Sequence, residues 1–382
     1  PIFESTELFV RGLGDVTDIV KKEMFSFTDR GERQLTLRPE GTASVVRAWI
    51  ENGIGVSDAV ARLSYLGPMF RAERPQKGRY RQFHQFGIEC IGGGEVRHDI
   101  EVIAVFWNII RSLGVSGVTL RINSVGCPEC IPHYRDVLRA YFEPFIGELC
   151  DDCRERHRTN VLRMLDCKNP ACQAVLSSAP PVTGHLCGEC AASWDGLRHG
   201  LDLAGIPWLH DTRLVRGLDY YTKTAFEIVH EDIGAQGTIV GGGRYDGLVA
   251  ASGGQAVPAV GGAFGIERML LAMQAGDPAL SPATRPRFFL VQIGDGVDDD
   301  IERLLSGLRL HGIYAMRADG SRQMAKQMRA AAKFASLEVV FVGGDEWNSG
   351  RLAIKNMDSG EQDTLVVGPA GVLACLLERA GA

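Results

Sequence analysis

The chain has 382 residues, 45% hydrophobic and 23% charged, with a formal net charge of -6. That length exceeds what one core comfortably holds, so two or three domains are expected, and the composition excludes a disordered or low-complexity chain. The acidic balance excludes a protein coated in basic surface but leaves room for a local nucleic-acid site.

No apolar run approaches the roughly 20 residues of a membrane helix, and no signal peptide is read. Because the first residue is Pro1, a natural N-terminal segment is expected ahead of it. Ten cysteines at this length, without a secretory signal, indicate reduced thiols or metal in a cytoplasmic protein.

In chain order, Leu35 to Leu37 reads as a strand, and Thr36-Leu-Arg-Pro-Glu-Gly-Thr42 leaves Glu40 and Thr42 beside a turn. The densest window runs from Phe70 to Cys90. Between Arg71 and Arg81 it carries five Lys or Arg and one Glu, and Pro75 and Gly78 place its middle in a loop. Such a loop suits the phosphate of a nucleotide or of RNA, or is a solvated charged turn. From Tyr80 to Ile91 a strand follows. Its alternation puts Phe86, Ile88 and Cys90 on a core face and Gln85, Gly87 and Glu89 on the other. Gly87 then removes a side chain where a ligand would lie, and the half-buried Glu89 needs a partner, either a ligand or a neighbouring cation.

A further strand is expected from Thr119 to Asn123. The segment from about 131 to 205, rich in Cys, Arg and helix formers, interrupts a region spanning 1 to 275. Cys127-x-x-Cys130 precedes it, and Cys150-x-x-Cys153, Cys167-x4-Cys172 and Cys187-x-x-Cys190 lie inside it. Pairs of this kind suit a structural zinc site. Cys150, Cys153, Cys187 and Cys190 are the expected ligands, with Cys167 and Cys172 as alternates. Cys90 and Cys375 read as core residues.

Arg213-Leu-Val-Arg-Gly-Leu-Asp-Tyr-Tyr-Thr222 offers guanidinium for phosphate or carboxylate and phenols for a polar substrate group, unless it is a structural turn. After a strand from Ala225 to Val229, Gly241-Gly-Gly-Arg-Tyr-Asp-Gly247 lacks the Lys-Ser/Thr of a phosphate loop and reads as a backbone-crowded turn. Gly261-Gly-Ala-Phe-Gly-Ile-Glu-Arg-Met-Leu270 leads into an apolar helix carrying Arg268. Three prolines between 276 and 286 mark a linker. Beyond it, strands Phe288–Ile293, Ile313–Met316 and Leu337–Val342 alternate with helices Asp298–Leu310 and Ser321–Phe334. That order predicts an α/β domain over 287–382, its sheet covered on both faces.

In this order the windows resemble the bacterial histidyl-tRNA synthetases, class II aminoacyl-tRNA synthetases. The run Arg71 to Gln85 is similar to motif 2, Arg213 to Tyr221 to the histidine-specific motif, and Gly261 to Arg268 to motif 3. Of motif 1 only Pro1 is matched. The resemblance implies an α+β fold: an antiparallel sheet flanked by helices, a mostly helical insertion, and a C-terminal α/β anticodon-binding domain. It implies activation of L-histidine by ATP with Mg2+ and transfer to histidine tRNA, by a cytoplasmic homodimer with neither membrane nor DNA as partner.

It further implies Arg71 and Arg216 as catalytic cations. ATP would also meet Arg79, Tyr80 and Arg268, and histidine would meet Glu40, Gly41, Thr42, Gln85, Glu89, Arg216, Tyr220 and Tyr221. Within that set, Glu89 and Tyr221 hold the imidazole and Glu40, Thr42 and Gln85 the ammonium. Arg74, Gln76 and Arg81 would reach the tRNA acceptor end. Zinc is not part of the family's chemistry.

Residues 287–382 contain eleven Lys or Arg and thirteen Asp or Glu. An anticodon contact there must be a small patch, with Arg317, Arg322, Lys326 and Arg329 as candidates. The rival readings are a synthetase-like subunit regulating histidine biosynthesis and a pure RNA-binding module. The presence of Arg71, Arg216 and a C-terminal domain argues against the first, and the Gln85/Glu89 face against the second.

Overall fold

A three-stranded antiparallel sheet comes first, with β1 (Phe3–Ser5), β2 (Phe25–Thr28) and β3 (Gln34–Leu37) in the order β1-β3-β2. The computed structural model describes residues 1–13, 17, 19–215, 220–231, 233, 237–276, 285–318, 323–368 and 371–381. The chain divides into two units, Pro1–Ala279 and Leu280–Ala382.

The first unit is organised by a seven-stranded sheet. Its strands are β4 (Ala61–Phe70), β5 (Gln82–Ile91), β6 (Val118–Ser124), β7 (Trp208–His210), β8 (Thr222–His230), β9 (Thr238–Arg244) and β10 (Ala259–Gly265). Their order is β4-β5-β10-β9-β8-β6-β7, antiparallel except for β6 beside β7. β4 and β5 pair over ten residues, from Ala61 opposite Ile91 to Phe70 opposite Gln82, so the basic segment 71–81 is the tip of a long hairpin.

One face of this sheet is closed by helix Val96–Ser112. Its buried Val102, Ile103, Phe106 and Ile110 recur at three- and four-residue spacing and form the apolar stripe that packs on the strands. Phe86 and Ile88 pack on the same cluster and Cys90 belongs to it, as the alternation along β5 predicts. The opposite face meets helix Thr42–Glu51 through Val46 and Trp49, together with Ile91 and Tyr245.

One reading of the sequence changes here, and a second is extended. Gly241–Gly243 lie on β9 rather than in a turn, and Gly261–Gly265 on β10. Glycine is a poor intrinsic strand former, so propensity misses both strands. Contact between sheet and side chains requires it: a Cβ on Gly261 would stand 1.7 Å from a carboxylate oxygen of Glu89.

The segment 131–205 is helical, with helices Cys130–Phe142, Asp151–Thr159 and Pro170–Leu176 around a separate core from Tyr134 to Val182. Its last helix, Gly188–Leu203, departs from the expected boundary. Trp194, Leu197 and Leu201 pack into the main sheet's core, so that helix belongs with the sheet.

The second unit holds β11 (Phe288–Ile293), β12 (Ala315–Arg317), β13 (Glu338–Gly343), β14 (Arg351–Asn356) and β15 (Gln362–Val366), in the order β12-β11-β13-β14-β15. β11 is parallel to β12 and β13, whereas β14 and β15 join antiparallel. Helices Asp298–Leu310 and Val372–Ala380 cover one face, and Met324–Lys333 covers the other. Arg317 is not a free cation, since Asp298 and Glu302 each lie 3.0 Å from its guanidinium. Lys326 and Arg329 are exposed, and Arg322 falls outside the described residues. Among the described residues no helix is long and apolar enough to cross a membrane.

Candidate active site

A cleft opens on the sheet face opposite helix Val96–Ser112. It is lined by Glu40, Thr42, Tyr65, Arg71, Glu73, Arg79, Tyr80, Phe83, Gln85, Tyr220, Tyr221, Glu267 and Arg268, among others. Its two ends differ in charge.

At the cationic end, Arg71 donates from Nε to the Pro39 carbonyl at 2.9 Å and lies 5.3 Å over the Phe83 ring. These contacts fix the guanidinium's plane. Arg268 donates to the carbonyls of Gly78 and Thr238, each at 3.0 Å. Burial holds its pKa below the usual arginine range, and the neighbouring Arg79 and Arg71 push the same way. Glu73 sits among them, 2.6 Å from Arg79 and 3.8 Å from Arg71. The three guanidiniums crowd one another in a partly buried place, and Glu73 and Glu227 offset part of the repulsion on Arg268. An anion with several charges relieves that repulsion.

At the other end, Glu40 precedes helix Thr42–Glu51 and accepts the backbone N–H groups of Thr42 at 2.7 Å and Ala43 at 2.9 Å. Burial raises its pKa, while those N–H groups and Arg71 oppose the rise. Gln85 faces the cleft from β5. Its Oε1 is buried and has no hydrogen-bond partner among the described residues. An unmet buried acceptor costs about 1–3 kcal/mol, so the site is primed for a donor. Tyr220 and Tyr221 pack against each other with ring centroids 4.6 Å apart.

Two expected positions are occupied differently. The space above Gly87 holds the Tyr65 ring, not room for a ligand; a Cβ there would lie 2.2 Å from that ring. The same ring crowds Gly41, where a Cβ would lie 2.3 Å from it, so Gly41 makes room for Tyr65 and is not among the residues lining the cleft. Glu89 is buried and is not among the residues lining the cleft. Thr42 Oγ1 donates to it at 2.7 Å, and Tyr245 donates to its other oxygen in a very short contact. Tyr65 and Tyr245 carry no local sequence signal for these roles. Tyr65 is found only once β4 is known to pair it with Gly87.

Burial pushes the Glu89 carboxyl up to about 8, against the lowering by Tyr245 and Thr42. The folded protein therefore holds this proton more tightly than the unfolded chain. Its stabilising contribution is present at low pH and is lost as pH rises from the ordinary glutamate range through about 8. Comparing urea stability of the protein and of Glu89→Gln from pH 5 to 9 should show an excess decline in the unsubstituted protein, on the order of a few kcal/mol. Parallel curves for the two proteins would mean the carboxyl does not titrate there.

In the basic loop, Arg74, Gln76, Lys77 and Arg81 are exposed, while Gly78 is buried with φ of 73°. Gln76 and Arg79 bond each other's backbone at 3.1 and 2.9 Å, so the tip is a tight two-residue turn. Arg216 lies outside the described residues.

The cysteines do not group as expected. Cys150 and Cys153 stand with Cys167 and Cys172, while Cys187 and Cys190 stand with Cys127 and Cys130. Spacing along the chain favours joining the most similar pairs. The fold instead brings the start of helix Gly188–Leu203 against the start of helix Cys130–Phe142, which puts Cys187 beside Cys127 at 3.9 Å.

Comparison with known proteins identifies the family. The family description "Histidyl-tRNA synthetase" matches residues 1–136 and 172–269. A histidine–tRNA ligase of Desulforamulus reducens is 47% identical over 362 residues, 95% of this chain and 86% of the relative. One of Desulforudis audaxviator is 49% identical over 370 residues, 96% of this chain and 87% of the relative. The crystal structure of the apo Staphylococcus aureus histidyl-tRNA synthetase superposes with a TM-score of 0.71 at 36% identity, covering 98% of this chain and 89% of that one. Likeness at this level over nearly the whole chain favours the synthetase over the regulatory subunit. The chain therefore belongs to the histidyl-tRNA synthetase family, the histidine–tRNA ligases among the class II aminoacyl-tRNA synthetases.

Proposed function

We propose that the cleft joins L-histidine to ATP, giving histidyl-adenylate and pyrophosphate, and then passes the histidyl group to the 3′ end of histidine tRNA. The observation that carries this is the cleft's polarity: the Arg71, Arg79 and Arg268 guanidiniums gather at one end, and the unmet Gln85 acceptor faces the other. An amino acid needs its ammonium accepted and its carboxylate held against a polyphosphate, and this arrangement suits both.

In the first step the histidine carboxylate attacks the α-phosphorus in line, and the bond to pyrophosphate breaks. The chemistry asks mostly for positioning and charge neutralisation. Arg71, fixed by Pro39 and Phe83, bridges the carboxylate and the α-phosphate. Arg79 and Arg268 take the outer phosphates, and Tyr80 borders the nucleotide. Arg216 completes the cation set by family likeness. The ammonium is received by Gln85 Oε1, Glu40 and the Thr42 hydroxyl oxygen. Tyr221 contacts the imidazole, and Glu89 acts on the same pocket by aligning Thr42 and Tyr245.

ATP brings Mg2+. Glu73 and Glu267 are the carboxylates of the cleft that could meet the ion, and they would have to leave Arg79 and His84, with which they are paired here. The ion supplies charge neutralisation at the leaving pyrophosphate.

In the second step the terminal ribose hydroxyl attacks the adenylate's carbonyl carbon and AMP leaves. Arg74, Gln76 and Arg81 project from the hairpin tip toward the acceptor end, and the unit beyond residue 285 takes the anticodon arm. The working form is a cytoplasmic homodimer.

Histidine-dependent ATP–pyrophosphate exchange tests the reading. Exchange is expected with histidine alone among the twenty amino acids, with discrimination of roughly 10⁴ or more, because an analogue lacking a ring nitrogen leaves a buried partner unmet. Equal exchange with a second amino acid would overturn the specificity assignment, and none with histidine would overturn the whole reading.

A further inference from the structure

We infer that the chain holds two structural zinc ions, one bound by Cys127, Cys130, Cys187 and Cys190 and the other by Cys150, Cys153, Cys167 and Cys172. Each set brings four Sγ atoms within 4.8 Å of one another. The Cys127–Cys130, Cys127–Cys187 and Cys150–Cys167 separations are 3.6, 3.9 and 3.8 Å. A tetrahedron with Zn–S bonds of about 2.3 Å has edges of about 3.8 Å, which these match, whereas a disulfide needs about 2.05 Å.

The surroundings supply hydrogen-bond donors to several of these sulfurs. Backbone N–H groups point at sulfur, from Cys187 to Cys130 at 3.0 Å, from Cys150 to Cys172 at 3.3 Å and from Asn169 to Cys167 at 3.4 Å. Such donors orient ligating sulfurs and spread their charge. Each ion displaces up to four thiol protons and leaves a site of net charge -2. At the first site, Lys223 lies close enough to Cys190 to feel its charge while it pairs with Glu189 at 2.6 Å. Four protein sulfurs leave no open position, so these sites are structural rather than catalytic. Zinc is favoured over ferrous iron by its intrinsically higher affinity for such donors.

The two ions have different tasks. The first clasps the place where the chain leaves β6 to the place where it returns into helix Gly188–Leu203, which is both ends of the insertion. The second lies inside the insertion, whose small core already contains Cys153, Cys167 and Cys172 as buried members. A core that small is marginal without a staple. Three of its ligands, Cys150, Cys153 and Cys167, fall in residues 137–171, the stretch that the family description leaves unmatched.

Elemental analysis of the full chain purified without chelator is expected to give two zinc per chain, with X-ray absorption showing sulfur-only coordination at about 2.3 Å. The paired substitutions Cys127→Ser/Cys187→Ser and Cys150→Ser/Cys172→Ser should each leave one ion. If a variant fails to fold, the unsubstituted protein still decides: a ratio near one or zero, nitrogen or oxygen in the zinc shell, or iron in place of zinc each overturns the assignment. None of these results bears on the cleft, since no cysteine lines it.

Discussion

Arg71→Ala should lower the rate of histidine-dependent ATP–pyrophosphate exchange by about 10²–10³, the loss seen when one preorganised charge is removed from a transition state. Arg71 is the cation at the junction of the two cleft ends, close enough to Glu40 to lower its pKa and to Arg268 to do the same. Its bond to the Pro39 carbonyl and its place over Phe83 hold it ready before substrate arrives, so no reorganisation is needed during the reaction.

Arg71→Lys should not recover the rate, because a point charge cannot bridge a carboxylate and a phosphate with a planar fork. Folding should be nearly untouched, since removing Arg71 also relieves repulsion on Arg268. The informative measurement separates the maximal rate from the ATP requirement. A transition-state role lowers the maximal rate, whereas simple phosphate binding raises KM alone. Exchange within about threefold of the unsubstituted protein would remove Arg71 from the chemistry.

Asp99→Ala should destabilise the first unit by about 3–5 kcal/mol, the cost of leaving a buried charge without its partner. Asp99 is 0% and Arg244 1% exposed. The Arg244 Nε lies 3.2 Å from both Asp99 oxygens, and Nη2 makes a still shorter contact. Its Nη1 donates to the Gly93 carbonyl at 2.9 Å and to Asp246 at 3.1 Å. Asp246 in turn accepts the Ala259 N–H at 3.2 Å. This network joins the first turn of helix Val96–Ser112 to the end of β9 and the start of β10, one residue from Tyr245 and so one bond from Glu89.

The thermal midpoint should fall by on the order of 10 °C. Replacing both partners with apolar residues of similar volume should restore part of that loss, because the two buried charges are then removed together, while Asp246, 28% exposed, keeps Lys223 at 3.7 Å. A midpoint within about 2 °C of the unsubstituted protein after Asp99→Ala would show that water reaches the pair.

Legibility in the sequence followed range along the chain. The basic loop, with Pro75 and Gly78 at its turn, could be placed because turn chemistry acts over a few residues. Helix Asp298–Leu310 and the two faces of β5 were readable for the same reason: a period of 3.6 or 2 is written within one element. Those local signals, in their order, also sufficed to indicate the family and its synthetase fold.

What only the tertiary structure decided depends on partners far apart in sequence. Arg244 finds Asp99 across 145 residues, and Tyr245 finds Glu89 across 156. The glycines of β9 and β10 oppose strand propensity and earn their place only when a carboxylate or ring presses on the backbone from a neighbouring strand. Three of the four cysteine pairs have the same spacing, so sequence could not say which pairs stand together; the fold groups Cys127 and Cys130 with Cys187 and Cys190, and Cys150 and Cys153 with Cys167 and Cys172. A side chain's environment is fixed by packing, and packing is a property of the folded whole.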